Sequence, residues 1–293
     1  MPVSSWRFEA IGTGWEIETQ EPLPSEHRAE ILRVISAFDA AWSRFRADSV
    51  VSHLRRHGGA VAAPDHAVAM LDAYRELSAA TGGAVNPLVG EGLEALGYDA
   101  ATTLRAGPPR SAPEAWERML RWSASELSLT APALIDVGAL GKGRLVDLVS
   151  ELLTDVDGRV IVDAGGDLRV HGGTARVALE HPYDATSAIG VVEVTDRALC
   201  ASAVNRRAWG EGLHHVLDAR TGVPVRTWAA TWAVADDAMH ADATATALFF
   251  DGGAELAGAW GAEWVRMSTD GRVQRSGGFD GELFTRSGPR PER

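Results

Sequence analysis

Cysteine is nearly absent, with Cys200 standing alone among 293 residues. One thiol makes no internal disulfide and no cysteine-based zinc site, and it fits a reducing compartment. Positive charge is also scarce. The chain carries 28 Lys and Arg against 40 Asp and Glu, a formal net charge of -12. No basic stripe interrupts that balance, which excludes nucleic acid as a partner. A phosphate ligand stays open, because a metal can bring the local positive charge. No apolar run approaches the ~20 residues of a membrane span, so no membrane partner is expected. Met1 to Phe8 holds neither an apolar stretch nor a basic one. No export leader and no lipid anchor are therefore expected, and the expected compartment is the cytoplasm. There is no internal repeat and no low-complexity tract.

What is present suits a globular chain of one large or two small domains, with 45% hydrophobic and 23% charged residues. Residues 8–19 read as a strand broken at Gly12 and Gly14. Ser25 opens a helix with Ile31, Val34, Ile35, Phe38, Trp42 and Phe45 along one side. By that spacing alone Phe45 belongs to the core. Asp48-Ser49 restarts a helix, and Pro64-Asp65 opens another that stops at Thr81-Gly82-Gly83. A short helix runs to Leu96-Gly97-Tyr98. Residues 107–113 form a Pro/Gly loop, and residues 114–122 read as a helix whose Trp116 and Trp122 pack. A strand over 127–135 follows. Residues 159–163 and 168–171 read as a hairpin around Gly165-Gly166, where glycine supplies positive φ. Short strands continue to Ala201, and Trp228 to Val234 is a further strand. Residues 255–286 give one helix and two or three strands.

Two stretches carry chemistry. Asp136-Val137-Gly138-Ala139-Leu140-Gly141-Lys142-Gly143 lies between a strand and a helix. A glycine-rich turn at a helix start can cradle an anion, with Lys142 neutralising it. It is a poor Walker A match, and a plain tight turn explains it equally well. Asp236-Asp237 caps an alanine-rich helix that ends in Leu248-Phe249-Phe250 and stops at Gly252-Gly253. Asp242 and Thr246 stand at (i, i+4), so both oxygens project from one face and suit a hard cation. Taken alone, that pair reads as a capped helix with polar residues facing water.

Several pieces occur together in chain order. They are Ile11-Gly12-Thr13, Ser43-Arg44-Phe45 with Asp48-Ser49, Gly82-Gly83-Ala84-Val85-Asn86-Pro87, and the Asp136 to Gly143 turn with Asp147. Gly165-Gly166-Asp167, His215 to Gly222, and Ala241-Asp242 to Thr246 complete the set. In this the sequence resembles the ApbE family of FAD:protein FMN transferases. The resemblance implies an α+β fold, ApbE-like and T-fold-like. It has mixed sheets, flanking helices and an FAD cleft between two halves. One domain would cover residues 1–286 and a disordered tail 287–293; the element pattern alone also allows two subdomains.

The resemblance further implies FAD as substrate, with magnesium at its pyrophosphate. The Ala139 carbonyl and the Asp242 and Thr246 side chains would hold the metal. Ile11, Phe45, Leu96, Gly97, Tyr98, Asp136, Lys142 and Val216 would line the FAD. His215 would be the base, with Lys142 a second catalytic charge. Its reference pKa near ~6.5 suits that role at neutral pH. His214, its neighbour on a strand, would face the other way. The implied reaction is attack on the FMN-side phosphorus with AMP leaving. The attacker is a Thr or Ser hydroxyl of an acceptor flavoprotein, or water in an FAD pyrophosphatase. A non-catalytic FAD binder is the remaining alternative. Departures from the family pattern are Asn86 for an acid, Ala139 and Ala203 for glycine, Ala219 for proline, Asp163 for asparagine, and Ala245 where some members carry a second acid.

Overall fold

The computed structural model describes residues 3–205, 208–210 and 212–284. The tail expected at 287–293 lies outside them. Among the described residues, no helix is long and apolar enough to cross a membrane.

Alternating strands build one eight-stranded sheet. Its order is Ser4–Ala10, Thr13–Thr19, Val160–Asp163, Asp167–His171, Ala198–Ala203, Trp228–Ala235, Glu263–Ser268 and Val273–Arg275. Every neighbouring pair is antiparallel. The strand expected over residues 8–19 is a hairpin that turns at Ile11-Gly12, while Gly14 stays in register opposite Glu9.

The two faces of this sheet bury different partners. Trp15, Ile17, Val160, Val162, Ala198 and Cys200 meet Ile31 and Ile35 of helix Ser25–Trp42 and Leu145, Val146 and Val149 of helix Gly141–Glu151. On the opposite face Leu168, Val170, Leu199, Trp232 and Val265 meet Leu179, Val192 and Val194. Those belong to a three-stranded sheet ordered Gly281–Leu283, Asp184–Thr195, Thr174–His181. The period of two explains why adjacent Leu199 and Cys200 serve different layers. Helices on one face and strands on the other make the α+β architecture.

A second core lies beside the helical layer. Met70, Leu71, Tyr74 and Leu77 of helix Ala67–Ala80 pack with Trp116, Leu120, Leu127 and Leu129. Here the helix expected over 114–122 is corrected. Only Trp116–Met119 is helical, and Leu120–Trp122 is a strand paired with Glu126–Leu129. That pairing buries Leu120 opposite Leu129 and stacks Trp122 on Trp116 at 5.8 Å. Cross-strand burial outweighs the local helical pattern.

Helix Ala238–Ala247 joins the two cores. Ala238 and Ala241 pack into the first, and Met239, Ala243 and Ala247 into the second. A helix apolar on every side is a buried helix. Its N-terminal N–H groups are met by two carboxylates. Asp237 is the N-cap and accepts from the His240 N–H at 2.8 Å. Asp147, from the neighbouring helix, accepts from the Ala238 and Met239 N–H groups at 2.8 and 2.9 Å. Buried orphan donors at a helix start need such partners.

Candidate active site

The site begins where helices Gly141–Glu151 and Ala238–Ala247 touch. A Cβ on Gly143 would lie 2.1 Å from the Ala238 carbonyl oxygen and 2.7 Å from the Asp242 Cβ. Glycine alone permits this approach. The Gly143 N–H donates to Asp242 Oδ2 at 2.9 Å. Gly143 is the third residue of its helix, so its N–H is one of the donors that a helix start leaves without an intrahelical partner. Among the described residues no backbone N–H donates to the Ala139 carbonyl, which lies before the helix. Asp242 is only 4% exposed, so the reading of Asp242 as a solvated helix residue is overturned. Thr246 follows one turn later and is half-buried.

Lys142 reaches from the same helix start towards the Gly165-Gly166 turn. Its Nζ lies 2.9 Å from Asp167 Oδ2 and donates to the Ala164 carbonyl at 3.2 Å. Burial works against the ammonium charge, yet Asp167 and Asp242 outweigh it and hold the lysine above its ordinary range. Asp167 is fully buried. The sequence placed it in a motif but gave it no role; its signal was the acid directly after a double glycine. Burial pushes the nearby Asp163 carboxyl up, although it accepts from the Gly166 N–H at 2.9 Å. Gly165 and Gly166 have φ of +67° and +104°. A Cβ on Gly165 would sit 2.2 Å from Thr13 Oγ1, so this turn packs against the Ile11 hairpin. Ile11 itself has φ +47°. A β-branched residue in the left-handed region is strained, and such strain concentrates at functional positions.

The Asp136 turn supplies a third wall. The buried Tyr74 hydroxyl donates to the Asp136 carbonyl at 3.0 Å and accepts from the Ala139 N–H at 3.2 Å. Burial, then the charges of Asp136 and Asp242, push this phenol far above its usual range. Asp136 Oδ1 accepts from the Gly138 N–H at 2.8 Å, and Oδ2 accepts from Arg44 Nε at 2.6 Å. Phe45 is 42% exposed, which corrects the reading of it as core. The helix ends at Trp42, so the periodicity that included Phe45 no longer applies. Its ring meets Tyr98 edge-on at 5.4 Å, and Tyr98 stacks on Trp209 at 5.6 Å. Trp209 donates to the Leu96 carbonyl at 2.9 Å. Gly97 has φ +91°, and a Cβ there would lie 2.4 Å from the Arg105 nitrogen.

The histidine pair separates by a bend rather than by strand alternation. His214 ends the strand Leu213–His214 and is buried. Its Nδ1 accepts from the Val216 N–H at 3.3 Å, which leaves Nε2 to donate to the Val225 carbonyl at 2.8 Å. Burial holds its pKa below the ordinary value. His215 lies at the bend that follows and is half-buried. Val216 belongs to the same buried cluster as Val137, Leu140 and Ala243.

Contacts thus link Arg44, Asp136, Tyr74 and Ala139, and link Asp242 with Gly143 and Lys142 with Asp167. Ile11 joins through Thr13 and Gly165. Among the described residues no group of three or more His, Cys, Asp or Glu is placed to hold a metal. A cation here would take one carboxylate and neutral oxygens. Two departures have local structural accounts. Asn86 donates to the Pro113 carbonyl at 3.0 Å and accepts from the Leu88 N–H at 2.9 Å. The Ala219 N–H donates to the Ala84 carbonyl at 2.9 Å, a bond that proline lacks.

Comparison with known proteins bears on the fold and the family. A curated relative from Rhodobacter capsulatus, described as an FAD:protein FMN transferase, is 27% identical over 305 residues, covering 93% of this chain and 57% of the relative. The chain therefore spans little more than half of that relative's length. The ApbE protein of Thermotoga maritima shares the fold with a TM-score of 0.82 at 23% identity, covering 94% of this chain and 97% of that one. Flavin transferase ApbE from Vibrio cholerae has a TM-score of 0.78 at 22% identity, with 94% and 97% covered. The sequence model of the ApbE family matches residues 11–265, and the chain belongs to the ApbE family.

Proposed function

We propose that this protein is a magnesium-dependent FAD:protein FMN transferase, acting on a Thr or Ser hydroxyl of an acceptor flavoprotein and releasing AMP. The observation that carries this reading is the close contact of two helices at Gly143, which sets the buried Asp242 beside the start of the Lys142 helix. The Gly143 N–H holds one Asp242 oxygen there, and among the described residues no backbone N–H donates to the Ala139 carbonyl. The donor set suits magnesium, since Asp242, Thr246 and the Ala139 carbonyl offer only oxygen. A magnesium ion held there would offset charge growing on the pyrophosphate oxygens.

The chain's own groups account for the rest. Lys142, fixed by Asp167 and Ala164, presents a permanent positive charge to the phosphates at the helix start. Ile11, Phe45, Asp136, Val216 and the Leu96-Gly97-Tyr98 segment flank the dinucleotide. His215 accepts the proton of the attacking hydroxyl. The new bond joins that oxygen to the FMN-side phosphorus, and the bond to the AMP phosphate breaks.

The test uses purified protein with FAD, magnesium and a candidate acceptor flavoprotein. AMP release together with FMN that stays on the acceptor through denaturation supports transfer. AMP and free FMN without labelling make the protein an FAD pyrophosphatase. FAD binding without AMP release makes it a non-catalytic binder and sinks the proposal.

A further inference from the structure

Arg44 is a buried cation between Asp136 and Tyr98. Its residue is 4% exposed, yet its guanidinium is only partly satisfied. Nε donates to Asp136 Oδ2 at 2.6 Å and Nη1 to the Tyr98 carbonyl at 2.8 Å. Nη2 is buried and has no hydrogen-bond partner. The guanidinium carbon lies 4.1 Å from the Phe45 ring centre and 4.8 Å from that of Tyr98. Arg44 therefore does two things at once. It braces the wall of Phe45, Tyr98 and Trp209, and it holds a charged donor pair behind that wall.

We propose that Arg44 is a ring-recognition residue: its Nη2 donates to an acceptor atom on the edge of a neutral planar ring that rests on the Phe45–Tyr98 wall. This rests on the proposed FAD site and names a residue in it to which nothing above gave a function. Three observations support it. A buried charged donor is costly unless an acceptor meets it. Phe45 is a large aromatic left 42% exposed beside the charge, and aromatic faces of that kind stack planar rings. The fork is held rigidly from both sides, so its free edge has one direction. Two rings of FAD have this chemistry, the isoalloxazine with its carbonyl edge and the adenine with its ring nitrogens.

The experiment compares the dissociation constants of FAD, FMN and ADP, each with magnesium, for the wild type, Arg44→Lys and Arg44→Gln. Lysine keeps a positive charge beside Asp136 but removes the fork. Glutamine is the second variant, and thermal unfolding checks that both fold. The expected result is a loss of FAD affinity of ~10-fold or more in each variant, as for a charge-assisted hydrogen bond. One half-ligand, FMN or ADP, should weaken in parallel while the other stays within about twofold; whichever weakens identifies the ring. Equal weakening of both halves would make Arg44 a support of the whole site and overturn the proposal. Unchanged FAD affinity would overturn it too, because a solvent molecule then suffices for Nη2. If the wild type binds no FAD at all, the reading of the site fails first and this inference with it.

Discussion

Asp242 has two oxygens with separate duties. One accepts the Gly143 N–H at 2.9 Å inside the contact between two helices; the other is the one that would meet a cation. Asp242→Ala removes both and leaves a buried N–H unpaired, a cost of about 1–3 kcal/mol. Asp242→Asn keeps an acceptor oxygen and removes the charge. We expect the Asn variant to unfold within about 1 kcal/mol of wild type in urea and to lose ~100-fold or more of magnesium-dependent AMP release. Turnover close to wild type would remove Asp242 from the metal site. His215→Ala should slow turnover by ~100-fold or more with FAD affinity kept; lost FAD binding with the fold intact would make it a binding residue instead. Spacing brought attention to Asp242, but its burial was invisible, because alanines on all sides give no sign of which face is inside. Arg44 and Asp167 stood in recognised motifs without a role. Their partners, Asp136 and Lys142, are distant in sequence, and no local pattern encodes such a pairing.

The Ala238–Ala247 helix depends on its neighbour for both its start and its position. Gly143→Ala places a methyl 2.1 Å from the Ala238 carbonyl, a backbone atom that cannot rotate away. The two helices must separate, and overpacking of this kind costs about 1–3 kcal/mol or more. A midpoint shift in urea of that size is expected, together with weaker metal binding as Asp242 moves off. An unchanged midpoint would show that the helices tolerate separation. Asp147→Ala strips two buried N–H groups and the partner of Arg169. A loss of about 3 kcal/mol is expected, as for breaking a buried ion pair. Cap signals were readable because they are local: the Asp237 and Ser49 caps fall where composition places them. The stop expected at Gly252-Gly253 is corrected: the helix ends at Ala247, and Gly252 caps the start of the next helix, Gly253–Ala259. Residues 114–122 were misread because their strand is made by Leu127 and Leu129, beyond the window that sets helical periodicity.

The large sheet is assembled from distant parts. Thr13–Thr19 pairs with Val160–Asp163, so six helices and a three-stranded sheet intervene between adjacent strands. Periodicity identified most strands but not their order, since alternation fixes a face and not a neighbour. Acid sensitivity follows from how this assembly closes around His214. Its folded pKa is depressed by burial, with Arg226 acting in the same direction and the Val225 carbonyl opposing. A depressed group contributes stability above its unfolded pKa of ~6.5, and that contribution is lost as pH falls through the folded value. The reason is that the unfolded chain takes up the proton more readily. His66 and His171 are depressed in the same way, while the His240 pair with Asp237 acts in the opposite sense. Total stability against pH therefore mixes signs, and a difference measurement isolates His214. Urea midpoints of wild type and His214→Gln should lie furthest apart near pH ~7.5, where the buried neutral ring keeps both hydrogen bonds. The gap should narrow towards pH ~5, because only the wild type must then bury a group that prefers to be charged. A gap that stays constant or widens with acid would show that the ring at position 214 is accommodated equally well in both protonation states.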